Sequence, residues 1–436
     1  MHAYLSRLAA LLLPALFWIP TAATQPAPRI LHLNTLIAEA LAANPLLAAG
    51  RLEAEAMATR PAQASALPDP SAMAGYRPFA AGGVDALVPS QLRFQQMIPY
   101  PGKRRLAGQS ATYSAEAAAR DADALALEIV FAVKHAYYEL YRIQQHDRLI
   151  DTFQEQLDAF EEAAAVKYEV GRGAQQEILK AQLERNTLAR RHLALLAERH
   201  TQLERLARLT HRPGLTAGMD TTILMPLDTT FFRPGTAQDG LFARPEADAL
   251  RLRLQQADAD IAFARAAYRP DFMVGFGLMD MMNRDPVAPL DNLGRRFMIE
   301  AGIILPLQRK KRDAALEETR LRRRQLEARY EALQTEIETE LDLLRYRLQE
   351  EASAVTLYRT TLIPQAETTL EATLSAYTTG RTGFLDLLDA ERTRFEVRMD
   401  YETAFADLLK TRATLERTLG LYTPGTEPSA PSDDQP

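Results

Sequence analysis

The chain has 436 residues, a formal net charge of −6, 25% charged residues and 47% hydrophobic residues. This composition is that of an ordinary folded protein, and the acidic balance gives no support for a nucleic-acid partner. Cysteine is absent. Its absence excludes a disulfide framework, a thiolate metal site and a lipid attached to an N-terminal cysteine.

The first 23 residues have the pattern of a secretory signal peptide. Arg7 supplies the positive charge, residues 8–19 form an apolar run, and the small residues at 21–23 form a cleavage site. The alternative is a membrane anchor, which is disfavoured because the apolar run is short and ends at Pro20. No later apolar run reaches about 18 residues. We therefore expect an exported protein in which any membrane crossing is made by β-strands.

The rest of the chain is predicted to contain two copies of one long structural unit. Residues 168–172 begin with Tyr and end in Gly-Arg, and residues 377–381 do the same. Such self-similarity indicates an internal duplication. The predicted divisions begin with a signal peptide at 1–23 and a first repeat at 24–210, which contains short helices, a strand hairpin at about 70–98 and a long helical hairpin at 102–210. A connector at 211–240 leads to a second repeat at 241–422, which contains a helix, a strand hairpin at about 271–305 and a long helical hairpin at 309–420. The last division is a disordered tail at 423–436.

Each repeat is predicted to contain a strand hairpin. Within residues 271–280, Phe272, Val274, Phe276 and Leu278 lie on one face and Asp271, Gly275 and Gly277 on the other. Residues 296–305 alternate likewise, with Phe297, Ile299, Ala301, Ile303 and Leu305 together. Period-two alternation over about ten residues is the length that a tilted strand needs to cross a bilayer. The pattern at 71–79 and 90–98 is fainter. Soluble hairpins are the alternative, but the export signal and the long helices favour membrane strands.

A long helical pattern follows each strand hairpin. The apolar positions that step by four and three are Ile129, Val133, Ala136, Leu140 and Ile143 in the first copy and Ile337, Leu341, Leu344 and Leu348 in the second. This spacing is the heptad seam of coiled coils. Residues 103–168 would form a helix of about 100 Å, a length typical of coiled coils or helical tubes. Pro364 is expected to kink or split the second long helix.

The two Tyr-x-x-Gly-Arg segments are predicted to form hinges at the tips of the helical hairpins. The predicted hinge and tip residues are Tyr168, Gly171, Arg172, Tyr377, Gly380 and Arg381. One interpretation is that their Tyr and Arg side chains hold neighbouring hairpins closed through hydrogen bonds and ion pairs. The other is plain helix termination, with the two glycines as C-terminal caps.

The order of these elements, the two hinges and two further motifs carry a family resemblance. The motifs are Gln-Gln-Met-Ile-Pro-Tyr-Pro-Gly-Lys-Arg at 95–104 and Gly-Arg-Thr-Gly-Phe-Leu-Asp-Leu-Leu-Asp-Ala at 380–390. Over essentially the whole mature chain, the sequence resembles the TolC-type outer-membrane efflux channels of Gram-negative bacteria. The motif at 95–104 is most similar to the branch that accompanies heavy-metal resistance pumps, the CusC/CzcC-like channels.

The resemblance implies a fold class that is mainly α with a membrane β-barrel part. Three chains would form an α-helical tube of coiled-coil hairpins and a shared 12-stranded β-barrel, to which each chain gives four strands. Elementary geometry agrees, because four short strands cannot close a barrel and their open edges require partner strands.

The resemblance also implies a function and a set of partners. The chain would be the passive exit duct of a tripartite efflux pump, gated at its periplasmic tip, that exports small solutes such as heavy-metal cations or drugs. Its partners would be two further copies in a homotrimer, a periplasmic adaptor (membrane fusion) protein, an inner-membrane pump of the RND type and outer-membrane lipid. The alternatives are the channel of a one-step protein secretion system and a soluble periplasmic coiled-coil adaptor. The second of these leaves the alternating segments unexplained.

Asp386 and Asp389 match the family's aspartate-lined periplasmic gate in an Asp-x-x-Asp-Ala pattern. Residues three apart share one face of a helix. If three chains close there, their carboxylates converge, favour cations and have raised pKa values. The alternative is a solvated acidic face on a coiled coil. The basic clusters at 103–105 and 309–312 are expected to form a solvated or lipid-headgroup-facing collar.

No enzyme, cofactor or metal site is predicted. The sequence contains no nucleophile–base constellation, phosphate loop or metal-ligand motif. His135 and His146 would lie about 16 Å apart along a helix, and His192 and His200 about 12 Å, so neither pair can share an ion.

Overall fold

The computed structural model describes residues 29–75, 91–171, 173–213, 222–224, 244–280 and 295–421. The predicted signal peptide at 1–23, the tail at 423–436, both strand-hairpin loops and most of the connector at 211–240 lie outside these residues. The helices are α1 (Leu33–Ala43), α2 (Pro45–Ala58), α3 (Arg60–Ser65), α4 (Lys103–Glu169), α5 (Gln175–Leu209), α6 (Pro245–Ala266), α7 (Arg309–Leu357), α8 (Ile363–Thr378) and α9 (Phe384–Thr418). The strands are β1 (Arg29–Leu31), β2 (Ser71–Gly75), β3 (Gln91–Ile98), β4 (Thr222–Leu224), β5 (Asp271–Asp280) and β6 (Arg295–Ile304).

The short helices before each strand hairpin begin at prolines. Pro45 and Pro245 each stand in the first turn, where the missing N–H costs nothing because that position has no intrahelical acceptor. Asn44 caps α2 by accepting from the backbone N–H of Leu46 at 3.0 Å. The Asn44 side chain also donates to the carbonyl of Leu209 at 3.0 Å, which fastens the α1–α2 corner to the end of α5.

Two long helical hairpins dominate the molecule. In the first, α4 has 67 residues, which corresponds to about 100 Å, and α5 returns antiparallel beside it. In the second, α7 and α8 are separated by a π-helical turn at Tyr358–Leu362, and α9 returns against them. The break predicted at Pro364 is confirmed. Proline has no N–H to donate and its ring crowds the preceding turn, so the helix widens just before it.

The buried apolar side chains form three separate clusters along the molecule rather than one central core. All five predicted seam residues of α4, and Ile337 and Leu341 of α7, lie in these clusters. Leu344 is buried outside them and Leu348 is only partly buried. Representative members are Leu36, Ile37, Val133 and Leu206 in the first cluster, Phe153, Leu157, Leu188 and Phe395 in the second, and Ile337, Leu341 and Leu419 in the third. This string of clusters is the packing of helical hairpins, in which each turn contacts a neighbouring helix.

The four strands β2, β3, β5 and β6 form one antiparallel sheet in that order. β3 and β5 belong to different halves of the chain and pair through Phe94 opposite Phe276, and β5 and β6 pair through Phe276 opposite Ile299. Within the described residues, β2 and β6 are the edge strands. The prediction of a mainly helical chain that supplies four strands is confirmed.

A second, parallel pairing joins β1 to β4, with Ile30 opposite Ile223. β4 lies within the connector predicted at 211–240. None of the helices that the structure describes combines the length and the apolar character needed to cross a membrane.

Candidate functional site

Both helical hairpins turn at a glycine with left-handed backbone. Gly171 has φ 69° and Gly380 has φ 73°, and both helices end one or two residues before them. The N–H of Gly380 donates to the carbonyl of Tyr377 at 3.0 Å, and the N–H of Arg381 donates to that of Ala376 at 2.8 Å. These two bonds close a Schellman-type C-cap, so the capping interpretation of the glycines agrees with the geometry. Arg172 lies outside the described residues.

A small aromatic cluster lies directly above the second hinge. The Tyr377 ring centroid is 6.4 Å from that of Phe384, and the Lys167 ammonium stands 3.9 Å from the Tyr377 ring centroid. Lys167 belongs to the last turn of α4, so this contact joins the tips of the two hairpins. The Tyr377 hydroxyl is buried and has no hydrogen-bond partner among the described residues. An unsatisfied buried hydroxyl is uncommon in folded proteins.

The remaining predicted hinge residues are exposed. Tyr168 has 48% of its surface exposed and lies outside the Tyr377 cluster. Arg381 is exposed, and its Nε donates to the Thr379 hydroxyl at 3.1 Å. Neither side chain forms an ion pair within the described part of the chain.

Asp386 and Asp389 both lie on the exposed side of the first turns of α9. The Asp386 carboxylate accepts from the Thr382 hydroxyl at 2.5 Å and from the Gly383 N–H at 3.2 Å. It therefore caps α9, which Gly383 cannot do because it has no side chain. The Thr382 hydroxyl first, and then the Gly383 N–H, hold the pKa of Asp386 below its usual value. The predicted rise in pKa applies to carboxylates that converge from three chains. Within one chain, the pKa of Asp386 is lowered instead.

The two faces of the four-stranded sheet differ: one carries mainly large apolar side chains, and the other combines an ion pair with the exposed apolar side chains of Met73, Met97 and Ile304. On one face the large side chains are exposed, and Ile299 in the middle of β6 has 88% of its surface exposed. The other exposed apolar side chains of this face are Leu92, Phe94, Phe272, Val274, Phe276, Phe297 and Ile303. A contiguous apolar face of this size marks a surface that is covered by lipid or protein. We call it the apolar sheet face.

The opposite face carries a polar cluster that spans three strands. Arg93 of β3 forms an ion pair with Glu300 of β6 at 3.2 Å, and Gln95 donates to the same carboxylate at 3.1 Å. Gly275 and Gly277 of β5 lie between them in the register. Because glycine has no side chain, residues of β3 and β6 can meet across the strand that separates them.

The prediction that the basic clusters form an exposed collar is wrong for Lys103. Lys103 is 8% exposed, and its ammonium contacts the Asp271 carboxylate at 2.7 Å and the carbonyl of Arg269 at 3.0 Å. The same carboxylate accepts from the backbone N–H of Tyr100 at 2.7 Å. Asp271 begins β5, so this cluster fixes the start of α4 against the sheet. Arg105 and Lys310, in contrast, are exposed as expected.

A buried histidine between α4 and α9 was not identified as part of the heptad seam. His146 is 5% exposed, its Nε2 lies 3.1 Å from the carbonyl of Met399, and its Nδ1 lies 3.2 Å from an Nη of Arg142. An arginine can only donate, so Nδ1 is the acceptor and Nε2 carries the proton. The seam offers the missed signal, because His146 continues the apolar spacing from Ile143 to Ile150. The described residues contain no group of three or more His, Asp or Glu side chains arranged to hold a metal ion.

Comparison with known proteins agrees with this geometry. Residues 237–421 match the family model described as outer membrane efflux protein. The cobalt-zinc-cadmium resistance protein CzcC of Cupriavidus metallidurans is 28% identical over 190 residues, which is 43% of this chain and 43% of CzcC. The alignment thus spans less than half the length of that curated relative.

Solved structures match the fold over most of the chain. The outer-membrane channel OprN superposes with a TM-score of 0.75 at 19% identity, covering 89% of each chain. CusC superposes with a TM-score of 0.75 at 15% identity, covering 89% of this chain and 92% of CusC. VceC from Vibrio cholerae gives a TM-score of 0.73 at 20% identity, covering 89% of this chain and 96% of VceC.

The chain therefore shares the fold of OprN, CusC and VceC, in which the strand sheet and the long helical hairpins superpose on theirs. The match to the outer membrane efflux protein model lies in the second half of the chain.

Proposed function

We propose that the chain is the subunit of a passive outer-membrane duct that serves a tripartite efflux pump. The observation that supports this proposal best is the apolar sheet face, which stands at one end of helical hairpins about 100 Å long. A chain with such a face cannot leave it in water. A sheet that lies in the membrane would cover the apolar sheet face with lipid, and the long helical hairpins would extend from it into the periplasm.

The duct is a homotrimer in this proposal. β2 and β6 each leave one edge unpaired within the described residues, and a four-stranded sheet is too narrow to curl into a closed barrel. Three copies joined edge to edge would form a barrel of 12 strands. The Arg93–Glu300 face would then line the interior and the apolar sheet face would contact outer-membrane lipid.

The hairpin tips form the gate in this proposal. Asp386 and Asp389 are exposed there and would converge from three chains into a ring that favours cations. Tyr168, Gly171, Arg172, Tyr377, Gly380 and Arg381 form the hinges that hold the tips closed. The unpaired hydroxyl of Tyr377 supports a contact with a neighbouring copy, because buried hydroxyls ordinarily have a partner.

The proposed partners come from the resemblance to efflux channels, and the proposed cargo is supported by one relative. We propose that a periplasmic adaptor docks at the tips and that an inner-membrane pump of the RND type supplies the energy. Heavy-metal cations are the favoured cargo, since CzcC is a cobalt-zinc-cadmium resistance protein. An acidic entrance suits multivalent cations better than anionic or neutral drugs.

The duct is tested by fractionation and conductance. The full chain, expressed in a Gram-negative host, should be recovered from the outer membrane as a heat-modifiable trimer. Reconstituted into planar bilayers, it should give discrete conductance steps. Recovery as a soluble periplasmic protein without conductance would overturn the proposal and favour a coiled-coil adaptor.

The gate is tested by removing charge without removing the helix cap. Asp386→Asn with Asp389→Asn keeps an oxygen that can accept from Thr382 and Gly383, whereas alanine at 386 would also unfasten the start of α9. The reversal potential in a salt gradient should move toward zero, and block by a multivalent cation should weaken about tenfold.

The matched control removes two exposed acidic charges higher on the same hairpins, Glu162→Gln with Glu371→Gln. It should leave selectivity and block unchanged. If the double asparagine variant behaves like this control, the aspartates are a solvated helix face and not a gate.

A further inference from the structure

A cavity lies where the strand sheet meets the helices. Its volume is ≈ 790 Å³. It is bounded by the end of α3, the starts of α4 and α7, the end of α6 and the segment that follows β6. The residues that line it and enter the argument are Lys103, Arg104, Phe263, Leu305, Lys311 and Arg312. We call it the junction cavity.

The apolar part of the junction cavity is continuous with the apolar sheet face. Ile299 and Ile303 lie within β6 and point to the apolar sheet face. Leu305 follows Ile303 by two residues, so the alternation of the strand places its side chain on the same face. Leu305 is 61% exposed and Leu307, which also lines the cavity, is 81% exposed. Large aliphatic side chains with so much exposed surface are usually covered by another molecule. The lipid or protein that covers the apolar sheet face can extend to Leu305 and Leu307.

The polar part of the cavity carries an excess of positive charge. Four basic side chains line it, and the acidic lining residue Asp271 is already paired with Lys103. Arg104 is held by a bond from its Nε to the carbonyl of Ser65 at 2.7 Å, and Arg312 by one to the carbonyl of Ala267 at 2.9 Å. Lys311 makes no ion pair with any described residue. Arg104 and Arg312 are therefore held in place, and neither forms an ion pair with a described residue.

The helix ends at the cavity add to this excess. α4 and α7 both begin here, and neither has an acidic residue in its first turn or a side-chain cap. Free N–H groups make a helix N-terminus partly positive, so basic first turns are unfavourable unless an anion is present. Two basic helix starts at one cavity add positive potential to that of the four basic side chains and favour a negatively charged occupant.

We propose that the junction cavity binds an anionic phospholipid. The phosphate of the headgroup lies among Arg104, Lys311 and Arg312, and an acyl chain lies along Leu305 and Leu307 onto the apolar sheet face. A free phosphate would use the basic groups but would leave the leucines uncovered, whereas a zwitterionic lipid would cover the leucines but neutralise less charge. This proposal rests on the proposed function in one respect, namely that the sheet lies in the membrane.

The site is tested on the purified full-length assembly in detergent. Native mass spectrometry and thermal unfolding are measured with phosphatidylglycerol, phosphatidylethanolamine and inorganic phosphate in separate arms. Phosphatidylglycerol should be retained and should raise the unfolding temperature more than the other two do. Arg104→Gln with Lys311→Gln should weaken phosphatidylglycerol binding about thirtyfold, a factor of about five for each basic residue removed.

The matched control is Arg105→Gln with Lys310→Gln, which removes the same charge from the same two helices at exposed positions that do not line the cavity. It should bind phosphatidylglycerol like the unmodified chain. Equal loss of phosphatidylglycerol binding in both double variants would show diffuse electrostatic attraction to the basic surface. An equal stabilisation by inorganic phosphate would show a simple phosphate site. Absence of phosphatidylglycerol binding would show that a neighbouring copy fills the junction cavity. Each of these results overturns the proposal.

Conductance measured on the same preparations separates this proposal from the proposed function. A conducting assembly that retains no phosphatidylglycerol overturns the lipid site alone. An assembly that binds the lipid but does not conduct overturns the duct alone.

Discussion

At the scale of single residues, His146 is the side chain with the clearest dependence on pH. It is buried between α4 and α9, and the charged groups that face it are Arg142, Glu139 and Glu198, beside the Thr403 hydroxyl and the Met399 carbonyl. Burial, and then the charge of Arg142, lower the pKa of His146 from 6.5 to about 4. The folded chain thus holds this imidazole neutral, while the unfolded chain lets it protonate below pH 6.5.

The sign of the pH effect follows from this difference. The contribution of neutral His146 is fully present above pH 6.5 and is lost as the pH falls toward 4, so acid destabilises the fold here. Between pH 7.5 and pH 5 the loss should be about 2 kcal/mol. His146→Gln keeps a donor for the Met399 carbonyl but cannot protonate, so its unfolding free energy should vary less with pH by this amount.

Chemical denaturation at the two pH values measures the difference. His211→Gln, at an exposed position, is the control and should retain the full pH dependence. If His146→Gln shows the same pH dependence as the unmodified chain, the titrating group lies elsewhere.

At the scale of elements, the two hinges depend on glycine because their backbone is left-handed. A Cβ added at Gly380 would meet no atom within 4 Å, so the cost of Gly380→Ala is conformational and not steric. A left-handed residue with a side chain costs about 1–2 kcal/mol. Gly380→Ala should therefore destabilise the hairpin tip by about that amount, measured as faster amide hydrogen exchange in residues 375–384.

Gly383 provides the comparison three residues away. Its φ is −87°, and a Cβ there would stand 3.8 Å from the Asp386 carboxylate, an ordinary contact. Gly383→Ala should leave exchange at the tip nearly unchanged. Equal acceleration in both variants would mean that the tip is sensitive to any substitution.

The elements that could be predicted are those whose pattern is local in sequence. Alternation identified β5 and β6, heptad spacing identified α4 and α7, and a single proline identified the break before α8. Each depends on neighbours within about ten residues, so the sequence displays it directly. The π-helical turn could not be predicted, because a proline indicates that a helix is interrupted but not which local backbone geometry accommodates the interruption.

Contacts between distant segments could not be predicted in the same way. Lys103 stands in a basic run that resembles a solvated cluster, and it is buried because Asp271 lies opposite it in the fold. Likewise His146 is isolated in the sequence and acquires its partners on α9 through packing. The gate assignment of Asp386 and Asp389 came from family resemblance, and the division into repeats at 24–210 and 241–422 came from internal similarity. Both stay predictions.

At the scale of the whole molecule, the apolar sheet face decides where the chain can reside. Ile299→Lys would place a charge at the centre of that face, where lipid should surround it, at a cost of about 2–4 kcal/mol per chain. The yield of heat-modifiable trimer in outer-membrane fractions should fall sharply. Gln95→Lys adds the same charge on the opposite face beside Glu300 and should assemble normally. Equal yields from the two variants would argue against lipid on the apolar sheet face.

The pairing of β3 with β5 also sets an order of events during folding. Phe94 finds its partner Phe276 only after the whole first helical hairpin and the connector have been made. Contacts between residues so distant in sequence are slow to form, because a long loop must close first. Until then β3 presents an open edge and a row of apolar side chains to solvent. The chain is therefore most prone to aggregate while only its first half has been made.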